Sequence, residues 1–555
     1  MKYILMAMGA IVIIIVFTTI SAYKNNRKLM REIKENYGEL PKRKYNEYDM
    51  GSIASFWGYR KDTEDPAFAV DDITWNDLDM DKVFKRINNA CSSVGEEYLY
   101  STLHDQAYDE KKLEETERMV KFFDEYDEIR HDTQFQLSKL GKVTSNGMIS
   151  FFYNPVARKL KYGSLYLILG IAPLLSIILL VINGYIGIYI LVLTLITNMV
   201  VYSKTRNLIE GEMVTMDYIS SLVACAKKLS KNQSPELKKY TDRLSELCGS
   251  LREMGYITGI VMRKPNSDLD FLIEYFKIFF MLDLIMYNRV ISIIARNREE
   301  CIEFYRIIGF LDMVMTIASY RRSLTAYTTP RFVDSNALEM HDLVHPLLNN
   351  PVANTIDIKR SSLVTGSNAS GKSTFVKSIA INALFAQTIH TCLADSFSLK
   401  PSFVITSMAV RDNVETGESY YIAEIKSLKR VLEGLNQQVR CLCFIDEILK
   451  GTNTIERIAA SSAILNYLSR ENCLAVVATH DIELTEMNAA SYDNYHFQEH
   501  IRDDGIDFDY KIYNGWATTK NAIQLLKFMN YKDEITDRAN KLAQEFEENR
   551  VWKKF

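Results

Sequence analysis

Apolar and polar positions along the chain fall into three regimes. From Tyr3 to Tyr23 no residue is charged, and Ile, Val, Met and Phe dominate. A helix of that length spans about 30 Å, the hydrocarbon thickness of a bilayer. Lys24, Arg27, Lys28, Arg31 and Lys34 follow, so the positive-inside rule assigns this flank to the cytoplasm. A cleaved signal peptide would show a shorter apolar run and a small-residue cleavage site, so the reading is an uncleaved anchor. The second apolar regime lies between Lys161 and Lys204, where 42 consecutive residues carry no charge. It breaks once, at the turn dipeptide Asn183-Gly184. Tyr162–Ile182 and Tyr185–Ser203 are each long enough to cross a bilayer. Arg158, Lys159 and Lys161 precede this hairpin, and Lys204 and Arg206 follow it. Both of its ends are therefore expected in the cytoplasm.

The remaining stretches have helical periodicity first and strand periodicity later. Residues 24–69 are mixed and polar and read as a cytoplasmic linker. From Trp75 to Leu140, Val83, Phe84 and Ile87 share one helix face, as do Met119, Phe122 and Phe123. The charge runs between them read as solvated faces. Long helical patterns return from Leu208 to Arg322. Within them Phe271–Ile294 is apolar but is interrupted by Glu274, Lys277, Asp283 and Arg289. Each of these would cost a few kcal/mol at mid-bilayer, so this stretch reads as a buried or surface-lying helix. Beyond Pro330 and the polar residues near Asp334–Asn336, strands and helices alternate as in an α/β fold. The domain expectation is 1–23 anchor, 24–69 linker, 70–161 helical core, 162–203 membrane hairpin, 204–335 second helical part and 336–555 nucleotide domain.

Bulk composition changes this picture little. A chain of 555 residues has room for two to four domains. Its net charge of −4 supplies no bulk basic field that would advertise nucleic acid. Eight cysteines occur without C-x-x-C pairs or metal-ligand spacing, which fits a reducing compartment. Cys441 and Cys443 alternate along one apparent strand and read as core residues.

The chemistry is concentrated at Val364–Thr374, where Gly366 to Ser373 match G-x-x-x-x-G-K-[ST]. An apolar strand precedes this stretch and a helical pattern follows it, the context a phosphate loop requires. Gly366 and Gly371 let backbone N–H groups turn toward a phosphate. Lys372 reaches the β- and γ-phosphates of a nucleoside triphosphate, and the Ser373 hydroxyl binds Mg²⁺. Gly366, Ser367, Asn368, Ala369, Ser370, Gly371, Lys372, Ser373 and Thr374 are the expected nucleotide ligands. The apolar run from Cys441 ends in Asp446 and Glu447. Asp446 is placed to reach Mg²⁺, and Glu447 to polarise an attacking water. A second run, Cys473 to Ala478, ends at His480, which is placed to sense the γ-phosphate or hold that water.

These segments together resemble the ATPase domain of the MutS family, a branch of the ABC-type ATPases. The family's T-G-x-N-x-x-G-K-S-T is matched by Thr365 to Thr374. Its D-E-x-x-x-G-T-[SN]-T is matched by Asp446-Glu447 with Gly451-Thr452-Asn453-Thr454, and its A-T-H-x-x-E-L-T by Ala478 to Thr485. The S-T-F-M-x-E signature is looser, as Ser419 to Glu424, and His345-Pro346 matches an H-P pair ahead of the domain. Phe84 to Leu103 looks like the start of the family's helical lever. The resemblance covers roughly Trp75–Leu140 and Leu208–Glu548. It implies an α/β ABC-type P-loop ATPase domain C-terminal to a mostly α-helical lever and core, here with an anchor and a hairpin of transmembrane helices. It implies ATP hydrolysis with ATP and Mg²⁺ as cofactors, in a homodimer or a pair with a related subunit. Ser419 would then approach the γ-phosphate held by the other subunit, and the C-terminal helix from Lys532 to Asn549 would serve dimer contacts.

The departures bear on function. Within this sequence the family's mismatch-reading domain is not expected, since an apolar anchor stands where it would begin. A literal F-x-E occurs at Phe123-Asp124-Glu125, but its acidic neighbours would repel phosphate. Basic clusters such as Lys227-Lys228-Lys231 and Arg321-Arg322 are small. Two readings follow, both for a multi-pass cell-membrane protein with three transmembrane helices and its ATPase in the cytoplasm. One is a membrane-anchored ATPase acting on DNA in a mismatch-repair-like role. The other is an ATP-driven mechanochemical switch acting on a protein partner. An ABC transporter fits least, because an LSGGQ-like signature and an obvious substrate path are absent.

Overall fold

The computed structural model describes residues 2–143, 147–261, 268–367, 370–408, 420–435, 438–502, 505–517, 522–549 and 551–552. It divides into two compact units. One comprises Met1–Asp65, Ile87–Ser101 and Glu117–Ser323, and the other Pro66–Arg86, Thr102–Thr116 and Leu324–Phe555. The first is helical and the second is built on sheets, so a helical N-terminal region precedes an α/β domain.

In the helical unit, α1 (Lys2–Asn36) is continuous through the apolar stretch and its basic flank. Two long apolar helices, α2 (Gly163–Ile182) and α3 (Gly184–Leu208), form an antiparallel pair joined at Asn183, whose side chain caps α3 through the Ile186 N–H. By length and composition these are the two helices that could cross a membrane among the residues searched. Only 22% of the apolar window in α2 and 11% of that in α3 is buried. Phe271–Ile294 resolves into α4 (Asp268–Phe279) and α5 (Leu282–Arg296), broken where Met281 is left-handed at φ 55°. The centre of the unit is α6 (Arg298–Ser323), buried on every side over its second half. That burial includes Asp312, whose carboxylate accepts from Cys91 N at 2.9 Å, Ser92 N at 2.8 Å and Ser92 Oγ at 2.6 Å. Gly95 is packed on the same carboxylate, and a Cβ there would lie 2.2 Å from Asp312 Oδ2.

Residues 24–69 are not a linker. Two short helices, Glu47–Ile53 and Ser55–Glu64, bury Ile53, Phe56 and Trp57. The first is started by a reciprocal capping box between Asn46 and Asp49. Arg43 pairs with Asp49 at 3.1 Å and with Glu96 at 2.6 Å. Three apolar residues within five positions were enough to dock this polar stretch, a signal diluted by its many charges. Phe123 is fully buried, which removes it as a DNA wedge. Arg321 is buried against Glu117 at 2.7 Å, and Arg322 pairs with Asp124 at 2.7 Å.

The sheet unit contains β1 (Arg331–Phe332), β2 (Leu338–Leu343), β3 (Asn354–Ile358), β4 (Ser362–Thr365), β5 (Ser396–Leu399), β6 (Ser402–Ser407), β7 (Arg440–Asp446), β8 (Cys473–Ala478), β9 (Asp493–Arg502) and β10 (Gly505–Asn514). The larger sheet has the order β10-β9-β4-β8-β7-β6. Its pairs are parallel except for β10 with β9. Apolar runs such as Cys441–Ile445 of β7 and Cys473–Ala478 of β8 are what a sheet covered on both faces demands. The edge strand β6 is closed by side chains from the two earlier segments of this unit. Gln106 bonds both backbone groups of Val404, and Asp77 accepts from Thr406 Oγ1 at 2.7 Å and Met408 N at 2.9 Å. Satisfying these edge groups explains why 66–86 and 102–116 fold with the sheet rather than with the helices around them.

Candidate functional site

The strand register brings the expected chemistry to one edge. Val364 pairs with Ala478, and Ala478 pairs with Asp446. The loops leaving β4, β7 and β8 therefore start side by side at the carboxyl end of a parallel sheet, where such folds hold ligands. Thr479 N donates to Val364 O at 3.0 Å, and Glu447 N to Ala478 O at 2.9 Å. These bonds tie the three loops to one another.

The loop after β4 turns at Gly366, φ 141°, and Gly371, φ 101°, and delivers Lys372 to the first turn of α7 (Lys372–Thr388). A Cβ at Gly366 would approach Phe497 O to 2.7 Å, so only glycine fits there. Ser370 Oγ donates to Ser367 O at 2.8 Å, and Ser367 Oγ to Glu499 Oε2 at 3.1 Å. Ser373 is half-buried and Thr374 exposed at the start of α7. Asn368 and Ala369, and Ser419 of the looser signature, lie outside the described residues.

Lys372 is 3% exposed, and its Nζ donates to Gly366 O and Ser367 O, both at 2.7 Å. Burial pulls its ammonium down to about 8, although Asp446, Glu447 and Glu499 act in the opposite sense. His480 Nε2 lies 3.3 Å from Lys372 Nζ and 3.0 Å from Glu447 Oε1. Lys450 Nζ reaches the other carboxylate oxygen, Glu447 Oε2, at 3.0 Å. Burial pushes the Glu447 carboxyl up, but the hydrogen bonds and charges of His480 and Lys450 outweigh it and hold it at about 2. Glu447 therefore stays an anion with both oxygens engaged. Its backbone is left-handed, φ 64°, as is that of Leu449, φ 58°. Such conformations in non-glycine residues concentrate at functional loops. Asp446 is half-buried at the end of β7.

Lys450 and Glu499 escaped the sequence reading. Glu499 had a signal, since it continues the buried alternation of Tyr495 and Phe497 on β9. Lys450 had none beyond its place in the turn. Its N–H donates to Glu424 Oε1 at 3.0 Å, and the other oxygen of this buried carboxylate has no hydrogen-bond partner among the described residues. A cavity of about 380 Å³ adjoins the loop, lined by His345, Val352, Gly371, Phe375, Phe497 and Tyr510 among others. Burial, with the charge of Lys377, holds the His345 imidazole down at about 4, so it is neutral at pH 7.

Residues 362–547 match the family profile of MutS domain V. "MutS protein homolog 4" of Mus musculus is 31% identical over 231 residues, 39% of this chain and 24% of that protein. "DNA mismatch repair protein MutS" of Thermosipho melanesiensis is 30% identical over 243 residues, 42% of this chain and 29% of that protein. The human "MutS protein homolog 4" is 30% identical over 231 residues, 39% of this chain and 24% of that protein. The chain thus spans less than a third of the length of each of these relatives. With the loop, the carboxylate pair and the histidine gathered on one sheet edge, the matches show that residues 362–547 of this chain are similar to domain V of MutS and its homologues.

Proposed function

We propose that this chain hydrolyses ATP at the carboxyl edge of β4, β7 and β8, as a pair of copies or with a related subunit, and acts on DNA at a membrane. One observation carries the catalytic part. His480 Nε2 stands between Lys372 Nζ at 3.3 Å and Glu447 Oε1 at 3.0 Å, on loops of a MutS-type domain. The loop fits a phosphate. Its lysine protons rest on two loop carbonyls, from which an anion can draw them. The adjoining cavity, with Phe497 and Tyr510 in its wall beside polar residues such as Asn354 and His345, has the size and mixed lining of a nucleobase site. Ser373 and Asp446 would hold Mg²⁺, which when bound neutralises charge on the phosphates. Glu447 then orients and deprotonates the attacking water, and His480 keeps that carboxylate aimed. Ser419 serves the site of the opposing subunit, so that ATP favours closure and hydrolysis releases it.

The relatives named for DNA mismatch repair support DNA as the substrate. The membrane reading rests on the apolar flank of the hairpin, where Ile168, Leu175, Ile178, Val181 and Ile186 are all more than half exposed. Exposed apolar surface of that extent marks a membrane or an interaction site. With α1 it makes three spans in the cell membrane, with the ATPase in the cytoplasm. The second reading, a switch acting on a protein partner, draws on the same hairpin and on the internal pairing of Arg321 and Arg322, which takes them from any phosphate.

The test uses the full chain in detergent or vesicles. Lys372→Ala should lose ATP binding, whereas Glu447→Gln should bind ATP and turn it over about 10²- to 10⁴-fold more slowly. Normal turnover by Glu447→Gln would remove the catalytic assignment. Stimulation by mismatched or branched DNA, falling as salt rises, supports the DNA reading. An ATPase indifferent to DNA at low salt leaves the partner reading.

A further inference from the structure

The break between α4 and α5 deepens the membrane reading and rests on it. At the break, Phe279 O accepts from Asn198 Nδ2 of α3 at 2.6 Å. The adjacent Phe280 O lies against Gly170 of α2, so closely that a Cβ there would come within 2.5 Å. The apex of α4 and α5 is therefore seated against both hairpin helices. One turn lower on α3, Tyr202 donates to Asp283 Oδ2 at 2.8 Å. Lower again, Asn288 Oδ1 accepts from Leu160 N and Tyr287 donates to Arg158 O, both at 2.9 Å. So α5 descends from the level of Gly170 to the basic flank at Arg158, Lys159 and Lys161. Gly170 stands just over two turns above Tyr162, about 12 Å up the helix axis.

Two charges on this apex are buried while two of its rings are exposed. Asp283 is 1% and Lys277 7% exposed. Lys277 pairs with Glu274 at 3.2 Å, and Arg289, further down α5, pairs with Glu253 at 2.6 Å. These are the charges that interrupt the apolar run in the sequence. The aromatic rings face the other way, with Tyr275 55% and Phe276 59% exposed on α4. A segment that buries Asp283 and Lys277, leaves Glu274 part-exposed and Arg289 exposed nearer the basic flank, and turns two rings outward, at that height on an apolar hairpin, suits the headgroup–acyl boundary of a bilayer.

We infer that the α4–α5 apex is a re-entrant element that touches phospholipid through Tyr275 and Phe276, in the leaflet that holds the base of the hairpin. The probe is tryptophan placed in the full chain, reconstituted in phosphatidylcholine–phosphatidylglycerol vesicles brominated at shallow or deep acyl carbons. Phe276→Trp is compared with Ile178→Trp on the hairpin and Tyr467→Trp on the sheet unit, each read above the emission of the unsubstituted chain. Shallow bromines should cut the Phe276→Trp signal about twofold and deep bromines less, as for a ring at the boundary. Ile178→Trp should be quenched and Tyr467→Trp left unchanged. Tyr275→Trp gives the same reading should Phe276→Trp not fold. Quenching of Ile178→Trp without Phe276→Trp and Tyr275→Trp would overturn the apex alone and leave the hairpin standing. Loss of quenching at all three positions would remove the hairpin together with the apex. A Phe276→Trp signal shielded from bromine only at high protein-to-lipid ratio would assign the surface to a second copy and overturn lipid contact.

Discussion

Lys372 is a buried ammonium whose protons rest on two carbonyls of its own loop. Its burial lowers the folded value to about 8 from an ordinary 10.5. Between those values the free site is short of a proton. An arriving triphosphate restores the charge, so ATP binding near pH 9 should take up protons. Calorimetry in buffers of different ionisation heat would read this uptake, which should fade below pH 7. Glu447 has the opposite sign. Its carboxyl is held at about 2, below the ordinary 4.5. It therefore stabilises the fold above about pH 4.5, the unfolded value, and that contribution is lost as pH falls toward 2. Acid unfolding of Glu447→Gln should be correspondingly shallower through this window. The sequence announced both residues, because a phosphate loop and an acidic pair closing an apolar strand are local patterns. It could not announce Lys450, whose role depends on a left-handed turn that places it on Glu447.

At the scale of elements, strand boundaries were legible where apolar runs stop at chemistry. The run from Cys473 to Ala478 is β8 as read, and β7 ends at Asp446. The ownership of segments was not legible. Residues 66–86 and 102–116 have helical periodicity like their neighbours, yet Asp77 and Gln106 close the free edge of β6. An edge strand's need for partners is invisible in the sequence of the segment that meets it. The packing of the helix Ser93–His104 on α6 gives a sharp test. Alanine at Gly95 would put a methyl 2.2 Å from Asp312 Oδ2, a carboxylate that accepts three hydrogen bonds. Gly95→Ala should destabilise the helical unit by about 2–4 kcal/mol, combining overpacking with a disrupted buried anion. The urea midpoint of the full chain, followed through the buried Trp57, would show it.

For the whole molecule, the exposed hairpin and the MutS-type domain make separate demands. If the hairpin spans a bilayer, the chain should resist carbonate extraction, and deleting 162–203 should weaken that resistance. If nucleotide closes two copies on each other, Glu447→Gln with ATP should sediment as a dimer and the same protein without ATP as a smaller species. Residues exposed on and beside the last helix, such as Ile535 and Trp552, are available for such a contact. One further consequence comes from α1, which keeps a single helical path over 35 residues, about 52 Å at 1.5 Å each. A jointed tether would let the body below it swivel freely. An unbroken rod instead acts as a crankshaft. Any turn of the helical unit about that axis becomes rotation of the apolar stretch within whatever surrounds it, and drag on that stretch is felt by the body in return.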